Sequence, residues 1–466
     1  MSSPPPITPE QLAALPSEVR AVVQALMDYY ERRIATLEAE LAAARKTPRN
    51  SSLPPSSEHP HVKPPPDKPK SNNKRGGQPG HPKHDRKLIP SAECNQVVSL
   101  TPSACRGCGK KLAGRDAEPL RHQVWEVPEI KPLVTEYQLH RLTCPGCGKS
   151  TCAELPCGVP TGQAGPRLIA LVALLMGCFR QSKSRVAMFL TQVLGQPCST
   201  GWVVKLQNHA TAALRPAYDQ LAAQLPAQEV LGIDESPTKE ATAKSWLWTC
   251  VALRFTVFTL RTTRSATVLR ELLGEAYTGV VSCDRARMYF CLPRLQWCWA
   301  HLKRDFQALV DSGDGIKMRL GHDLLRSTRK LFQLWARCRD GTLTRAEFEC
   351  QMKPIREEIN NLLLRGAFAG IGMAEELRRH RDWLWTFVDV EGVEPTNNAS
   401  ERALRHAVIR RKLSFGTQSA KGSRFVETLL TVVETCRQQS RNVFAFLAEA
   451  VHAHIAKNPP PLLAGV

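Results

Sequence analysis

Long apolar segments are missing from this 466-residue sequence, in which no run of about 18 apolar residues occurs. A membrane-spanning helix needs such a run, so we expect none and predict no membrane partner. The first six residues, MSSPPP, lack the charged and then apolar pattern of a signal peptide. Cysteines number only 16, too few for a disulfide-stabilised scaffold of this length. We therefore predict a cytoplasmic protein whose paired cysteines bind metal and whose single cysteines are buried thiols.

Aromatic residues are also scarce, at 6%, and acidic residues are outnumbered by basic ones. The chain has 63 Lys/Arg and 43 Asp/Glu, which gives a formal net charge of +20. A hydrophobic fraction of 42% excludes a wholly disordered chain. So basic a protein is expected to bind a polyanion, most often nucleic acid, and a membrane surface is the weaker alternative.

The positive charge is concentrated in two segments of the chain. Residues 45–90 hold 11 Lys/Arg and 3 Asp/Glu, and residues 402–426 hold 7 Lys/Arg and no acidic residue. The first segment also contains 11 of the 34 prolines, a composition that predicts an extended linker. This linker either follows a DNA backbone or serves only as a solubilising tether.

A helix with a narrow apolar stripe is predicted ahead of this linker. Its apolar residues alternate at spacings of four and three, and they are Val23, Met27, Tyr30, Ile34, Leu37, Leu41 and Ala44. This spacing is typical of a coiled coil and predicts a homodimer or a higher assembly. The alternative is an amphipathic helix folded back on its own domain.

Four cysteines form two matching Cys-x-x-Cys-Gly motifs, Cys105 with Cys108 and Cys144 with Cys147. Two residues between the thiolates, followed by a glycine that permits a left-handed turn, let both sulfurs face one tetrahedral zinc ion. Strand-like sequence lies between the motifs, at residues 123–127 and 134–142. The pattern predicts a zinc ribbon with structural Zn²⁺, and four free thiols are the alternative.

Residues 164–225 have the pattern of three helices. Ser184 is the predicted cap of the second helix, Gly195 breaks the chain, and Ser199 is the predicted cap of the third. This arrangement is typical of a helix-turn-helix, in which Lys205, Gln207 and Asn208 would face DNA. A helical bundle of another kind would produce the same pattern.

From residue 229 onward the pattern changes to short apolar runs, and it predicts the order β-β-β-α-β-α-β-α of a ribonuclease-H-like fold. The five predicted strands lie at residues 230–234, 246–253, 255–260, 279–284 and 295–300. A helix is predicted to begin after the last of them, near His301. The first and fourth strands end in Asp234 and Asp284, which would then lie side by side. Residues 312–393 read as an α-helical insertion that precedes the last part of this core.

A third carboxylate, Glu401, follows helix-capping residues in the sequence NNASERALR. Three carboxylates can hold two Mg²⁺ ions, with Mn²⁺ as a substitute, for in-line phosphoryl transfer. Cations follow the glutamate, where DNA phosphates would lie, and they are Arg402, Arg405, Arg410, Arg411 and Lys412. Each acid taken singly could instead form a surface ion pair. Cys298 and His301 suggest a metal pair, but no further ligand is evident, and buried packing is the favoured interpretation.

Five segments together resemble the insertion-sequence-66-type DDE transposases over nearly the full length of the chain. They are NSSLPPSS at 50–57, RGGQPGH at 75–81, IDESP at 233–237, CWAHLKR at 298–304 and NNASERALR at 397–405, together with the zinc ribbon. The resemblance implies that Asp234, Asp284 and Glu401 are the metal-binding catalytic triad. It also implies that the ribbon and the helices after it bind the terminal inverted repeats of a mobile element.

The expected architecture is a multidomain α/β protein with a ribonuclease-H-like catalytic core. The predicted parts are a coiled-coil helix at 10–46, a basic linker at 47–92, a zinc ribbon at 93–160, a helix-turn-helix-like domain at 161–226, the core at 227–311, the insertion at 312–393, the glutamate helix and C-terminal helices at 394–450, and a tail at 451–466.

The function expected from these features is Mg²⁺-dependent cleavage at the ends of an element and strand transfer into target DNA. Double-stranded DNA is the expected partner, and accessory proteins are a further one. Two alternatives remain open: a non-catalytic zinc-dependent DNA-binding protein from a decayed element, and a ribonuclease-H-like nuclease or resolvase.

Overall fold

The computed structural model describes residues 9–44, 46–51 and 87–463, in two compact units. One unit comprises Met1–Pro60 and Val134–Val466, and the other comprises His61–Leu133. Most of the predicted basic linker, residues 52–86, lies outside the described residues. No helix in the described part of the chain is both long enough and apolar enough to cross a membrane.

The N-terminal segment is helical, with α1 at Pro9–Ala13 and α2 at Ser17–Ala44. Along the predicted coiled-coil stripe, Val23 and Met27 are half-buried, whereas Tyr30, Ile34 and Leu37 are exposed. The side chains of Leu41 and Ala44 lie outside the described ones. The helix is present, and the coiled coil stays a prediction.

The predicted strands between the cysteine motifs are much shorter than expected. Between residues 87 and 160, all of which the structure describes, the only regular strands are β1 (Arg141–Thr143) and β2 (Ser150–Cys152), which pair antiparallel with Leu142 opposite Thr151. Residues 123–127 form no strand, and their apolar side chains Val124 and Val127 are 80% and 73% exposed. The prediction was wrong there because an alternating pattern forms a strand only when a partner strand and a covered apolar face are available.

Three helices follow, α3 (Pro166–Gly177), α4 (Lys183–Val193) and α5 (Thr200–Ala223). The cap of α4 is Ser182 rather than the predicted Ser184, because its side chain accepts the Arg185 N–H at 3.3 Å. Ser199 caps α5 as predicted and accepts the Trp202 N–H at 3.1 Å. Gly195 adopts a φ of 62°, the left-handed conformation that the predicted turn requires.

A five-stranded mixed sheet forms the centre of the large unit. Its elements in chain order are β3 (Val230–Glu240), β4 (Ala243–Val251), β5 (Thr256–Arg261), α6 (Ala266–Leu273), β6 (Val280–Cys283), β7 (Leu295–Trp297) and α7 (Trp299–Val310). The strands lie side by side in the order β5-β4-β3-β6-β7. The pairs among β3, β4 and β5 are antiparallel, and β6 is parallel to both β3 and β7.

Two details of the predicted strand order are corrected. The segment between β6 and β7 holds a five-residue 3-10 helix at Arg287–Cys291 in place of the expected α-helix. The last strand stops at Trp297, and α7 begins at Trp299 instead of near His301. The chain turns there because the Cys298 N–H bonds to the Cys283 carbonyl, while the Cys298 carbonyl already accepts the N–H groups of His301 and Leu302.

The rest of the chain is helical. The helices are α8 (Gly315–Arg339), α9 (Arg345–Phe368), α10 (Gly372–Arg379), α11 (Thr386–Asp389), α12 (Asn398–Ser414), α13 (Ala420–Gln438) and α14 (Val443–Ala456). Side chains of α12 and α13, among them Leu404 and Leu430, form a small apolar cluster with Leu247 and Phe258 of the sheet. This cluster holds α12 against the sheet.

The edge strand β5 is covered by polar side chains of α13. The backbone N–H groups of Thr256 and Phe258 donate to the hydroxyls of Thr435 and Thr431, at 3.2 and 2.9 Å. The Leu260 N–H donates to Glu427 Oε2 at 3.1 Å. Four helical residues rise about 6 Å and two strand residues about 6.6 Å, so the two periods match. The helix thereby blocks an edge that could otherwise pair with another chain.

Candidate active site

Two of the predicted carboxylates lie at the same level of neighbouring parallel strands. Val230 pairs with Val280 and Gly232 with Ser282, a constant offset along β3 and β6. The same offset sets Asp234, inside β3, beside Asp284, which directly follows β6. Neighbouring strands are about 4.8 Å apart, so the two carboxylates lie side by side where β6 ends, at the carboxyl end of the parallel strands.

The other two predicted acids both influence the charge state of Asp234. Its pKa is raised well above the usual range by burial and then by the negative charges of Glu235, Asp284 and Glu401. Asp234 Oδ1 accepts the Glu235 N–H, and Asp284 Oδ1 accepts the Ala286 N–H, both at 2.9 Å. A partly buried group of carboxylates that repel one another fits a divalent cation, whose charge would relieve that repulsion.

Glu401 reaches this edge because α12 packs very closely on β3. The side-chain amide of Asn397 donates to the Ile233 carbonyl at 2.7 Å, one residue before Asp234. Gly232 permits the approach, since a Cβ there would lie 2.5 Å from Ser400 Oγ and 2.9 Å from Asn397 Oδ1. The Asn397–Glu401 segment is therefore held on the strand that carries Asp234.

Gly232→Ala should destabilise the protein by about 1–3 kcal/mol, because the added methyl group must push Ser400 and Asn397 away from β3. Glu401 would move with them, so any activity that needs the carboxylate group should fall as well. Gly372→Ala is the matched control, since a Cβ at that helical position meets nothing within 4 Å. Urea denaturation measures the free energy of unfolding of both variants. Equal stability of Gly232→Ala and Gly372→Ala would contradict the close approach of α12 to β3.

A fourth carboxylate, Glu235, was not predicted from the sequence. Its side chain is only 1% exposed and pairs with Arg264, whose Nε lies 2.6 Å from Glu235 Oε1. The Tyr289 hydroxyl donates to its other oxygen at 2.5 Å. Burial and the nearby Asp284 still raise the pKa of Glu235. Arg264 Nη2 also lies 3.7 Å from Asp284 Oδ2, so this arginine links the two acids.

The other side of Glu401 faces the start of α7. His301 Nε2 lies 3.6 Å and Arg304 Nη2 4.0 Å from Glu401 Oε1. Burial and the positive charge of Arg304 lower the pKa of His301, which favours the neutral ring. Cys298 Sγ accepts the Asn397 N–H at 3.2 Å. No third ligand for the Cys298–His301 pair was evident from local sequence, and the structure places Glu401 beside this pair.

The two cysteine motifs adopt the same local turn. In each, the first cysteine's carbonyl accepts the N–H of the glycine four residues later at 2.9 Å, Gly109 for Cys105 and Gly148 for Cys144. Both glycines are left-handed, with φ of 73° and 70°. The pKa of the Cys105 thiol is lowered by the N–H groups of Cys108 and Gly107, and that of Cys144 by those of Cys147 and Gly146. Each turn thus favours the thiolate, the form that binds zinc.

Comparison with known proteins places this site in a described family. The sequence model of the transposase IS66 family matches residues 161–424, which include all three predicted acids. The chain belongs to the transposase IS66 family. Residues 102–148, with both cysteine motifs, match the zinc-finger binding domain of transposase IS66, which supports Zn²⁺ binding. Residues 5–87 match a family of unknown function (DUF6444).

Two uncharacterized proteins of Sinorhizobium fredii, y4hP and y4qI, are similar to this IS66-family chain. Each is 24% identical to it, over 409 and 403 residues. The alignment with y4hP covers 79% of this chain and 73% of the relative, and the alignment with y4qI covers 75% and 70%.

The predicted DNA-binding residues of this IS66-family chain fall into two groups. Arg402, Arg405 and Lys412 are exposed on α12, and Lys205 and Asn208 are exposed on α5. The prediction for Gln207 was wrong, because this side chain lies on the buried face of α5. Arg410 and Arg411 make internal contacts instead. Arg410 Nη1 donates to the Met176 carbonyl at 3.0 Å and its guanidinium lies over the Phe425 ring, and burial lowers its pKa to about 10. Arg411 Nη1 donates to Ser236 Oγ at 3.0 Å.

Proposed function

We propose that this IS66-family chain is a Mg²⁺-dependent DNA transposase that cleaves the ends of its element and joins them to target DNA. The observation that carries the proposal is the register of β3 with β6, which sets Asp234 beside Asp284, while Asn397 holds the start of the Glu401 helix on β3. Separate surface ion pairs would leave the three acids unrelated in space, whereas here the charges of Asp284 and Glu401 add to the effects of burial and Glu235 in raising the pKa of Asp234. The sequence alternative of unrelated surface acids does not account for that arrangement.

The strand arrangement supports a ribonuclease-H-like core within this proposal. Three antiparallel strands continue into two parallel ones in the order β5-β4-β3-β6-β7, with the proposed acids on the two central neighbours β3 and β6. The third acid arrives on α12, after the helices of residues 312–393. We infer that these helices are an insertion into that core.

In the proposed reaction, Asp234, Asp284 and Glu401 would hold two Mg²⁺ ions, for which Mn²⁺ could substitute. When bound, such ions activate a water or a 3′-hydroxyl and stabilise the leaving oxygen. The chain's own residues do the positioning. Asn397 and Gly232 fix the Glu401 helix on β3, Arg264 restrains Asp284 beside Glu235, and exposed Arg402 and Arg405 offer positive charge to phosphates.

DNA recognition is assigned to the parts that precede this core. We infer that Cys105, Cys108, Cys144 and Cys147 share one structural zinc ion, since both turns favour the thiolate. Lys205 and Asn208, exposed on a helix that follows a glycine turn, would contact the double-stranded terminal repeats. The long helix α2 would support a homodimer or higher assembly through a coiled coil. The proposed site of action is the cytoplasm, with accessory proteins where assembly requires them.

The test uses the full-length protein and labelled duplexes that carry the element's own terminal repeats. With Mg²⁺ we expect site-specific cleavage at the repeat ends and joined products with a target duplex, and neither product without the metal ion. Binding without cleavage would favour the non-catalytic DNA-binding protein. Cleavage of branched or hybrid substrates with no joined product would favour a nuclease or resolvase.

A further inference from the structure

Three side chains of different chemistry converge where α7 meets α12. Cys298 immediately precedes α7, His301 lies in its first turn, and Glu401 lies in the first turn of α12. The ligand atoms of the three, a sulfur, a ring nitrogen and a carboxylate oxygen, all lie within 4.8 Å of one another. Among the described residues, no other group of three or more His, Cys, Asp or Glu side chains meets this spacing.

The polar atoms of this cluster are not satisfied by hydrogen bonds. His301 Nδ1 and Glu401 Oε1 are buried and have no hydrogen-bond partner in the described part of the chain. The contact between His301 Nε2 and Glu401 Oε1, at 3.6 Å, is too long for a hydrogen bond. Buried polar atoms are nearly always paired, so the unpaired Glu401 Oε1 indicates a missing partner of positive charge on the side that faces His301 Nε2.

The donor set and its spacing fit a zinc ion. Zinc binds cysteine sulfur at about 2.3 Å and histidine nitrogen or carboxylate oxygen at about 2.0–2.2 Å. Tetrahedral geometry then separates two ligand atoms by roughly 3.3–3.6 Å. The His301–Glu401 separation of 3.6 Å is already at that value, and Cys298 Sγ lies within 4.8 Å of both atoms. Three protein ligands leave the fourth position open to water.

Neighbouring groups already orient these ligands. Burial raises the pKa of the Cys298 thiol, and the Asn397 N–H, which donates to Cys298 Sγ at 3.2 Å, partly offsets that shift and ties the sulfur to the start of α12. The same Asn397 fixes the start of α12 on β3 through the Ile233 carbonyl. At zinc sites, groups that do not bind the metal themselves usually form hydrogen bonds to the ligands and fix their orientation.

We propose that Cys298, His301 and Glu401 form a second zinc site, separate from the four-cysteine ribbon and able to bind Zn²⁺ between α7 and α12. Binding releases the Cys298 thiol proton to solvent as the sulfur–zinc bond forms. The site shares Glu401 with the proposed catalytic triad. A consequence that rests on the proposed function is that zinc withdraws Glu401 from Asp234 and Asp284 and inhibits Mg²⁺-dependent cleavage.

The first arm of the test measures metal alone on the full-length protein, without DNA. At a low, buffered free Zn²⁺ concentration, the wild type should hold one more zinc ion per chain than Cys298→Ser. With Co²⁺ in place of zinc, the wild type should show more thiolate-to-cobalt charge-transfer absorption than this variant, which keeps only the contribution of the four-cysteine ribbon. His301→Ala should weaken the same site at least about tenfold. Cys250→Ser, at another buried cysteine, is the matched control and should retain the full zinc content.

The second arm measures cleavage in Mg²⁺ with and without added Zn²⁺. Zinc should inhibit the wild type and the Cys250→Ser control but not Cys298→Ser. Serine is similar in size to cysteine, so this variant should keep the fold while losing the sulfur ligand. Equal zinc content and equal cobalt spectra of Cys298→Ser and wild type would overturn the site, whatever the cleavage result. Equal inhibition of both would overturn the role of the site in inhibition. A wild type that never cleaves DNA would contradict the proposed function and leave the metal-binding result to decide the site.

Discussion

Asp234→Asn, Asp284→Asn and Glu401→Gln should each lower Mg²⁺-dependent end cleavage and strand transfer by more than about a hundredfold. Each change removes a charge from a site where three carboxylates repel one another, so the affinity for a divalent cation falls with it. The amides have nearly the same size as the acids and should leave binding to the terminal repeats intact. Cleavage rates with labelled duplexes and gel-shift affinities measure the two properties separately.

A control for these variants is Asp323→Asn, on α8. The Asp323 side chain is 26% exposed, close to the 27% of Asp284, and it pairs with Arg326 away from the sheet edge. This variant should keep wild-type cleavage. Retained cleavage in any one of the three site variants would remove that residue from the catalytic assignment.

The same Asp234→Asn variant should be more stable than the wild type when Mg²⁺ is absent. The pKa of Asp234 is raised in the folded protein above its ordinary 3.8, so the folded state holds this proton more tightly than the unfolded state. The wild type therefore loses stability as the pH rises from about 4 through the raised pKa, and the variant lacks that contribution. Thermal melts between about pH 4 and pH 8 should show a smaller decline in Tm with rising pH for the variant than for the wild type.

Added Mg²⁺ should raise the Tm of the wild type more than that of the variant.

Glu427→Ala should lower the free energy of unfolding by about 2–4 kcal/mol, the largest stability effect that we expect from a single polar side chain. The Glu427 side chain is 1% exposed, and its Oε1 accepts from Arg215 at 3.0 Å and from Arg424 at 2.7 Å. Its Oε2 accepts the Leu260 N–H of the edge strand β5. Truncation of Glu427 leaves the Leu260 N–H without its acceptor, and it leaves Arg215 and Arg424 without their carboxylate partner.

Two further variants separate these contributions in urea denaturation. Glu427→Gln keeps an acceptor for the Leu260 N–H and should lose less stability than the alanine variant. Glu434→Ala, on the same helix, breaks a partly exposed pair with Arg437 at 3.6 Å and should cost less than about 1 kcal/mol. Similar losses for Glu427→Ala and Glu434→Ala would show that α13 does not hold the edge of the sheet.

Much of the site could be predicted from local sequence. Asp234 and Asp284 each end an apolar run, and the parallel pairing of β3 with β6 brings such ends to one edge. Glu235 was not predicted, because side chains alternate along a strand and that alternation would point Glu235 away from Asp234. In the structure, Arg264 and Tyr289, which are distant in sequence, both bind its carboxylate. The third ligand of Cys298 and His301 was not predicted for a related reason, since Glu401 is about a hundred residues away.

The sequence by itself determined the apolar periods, the helix caps such as Ser199, the two cysteine turns and the family, because each depends on neighbours within a few residues. Only the tertiary structure decided which side chains share an environment. It placed Arg410 against Met176, Glu427 under β5 and Glu401 between Asp234 and His301. These contacts depend on how closely α12 and α13 pack on the sheet, and no local pattern encodes that distance.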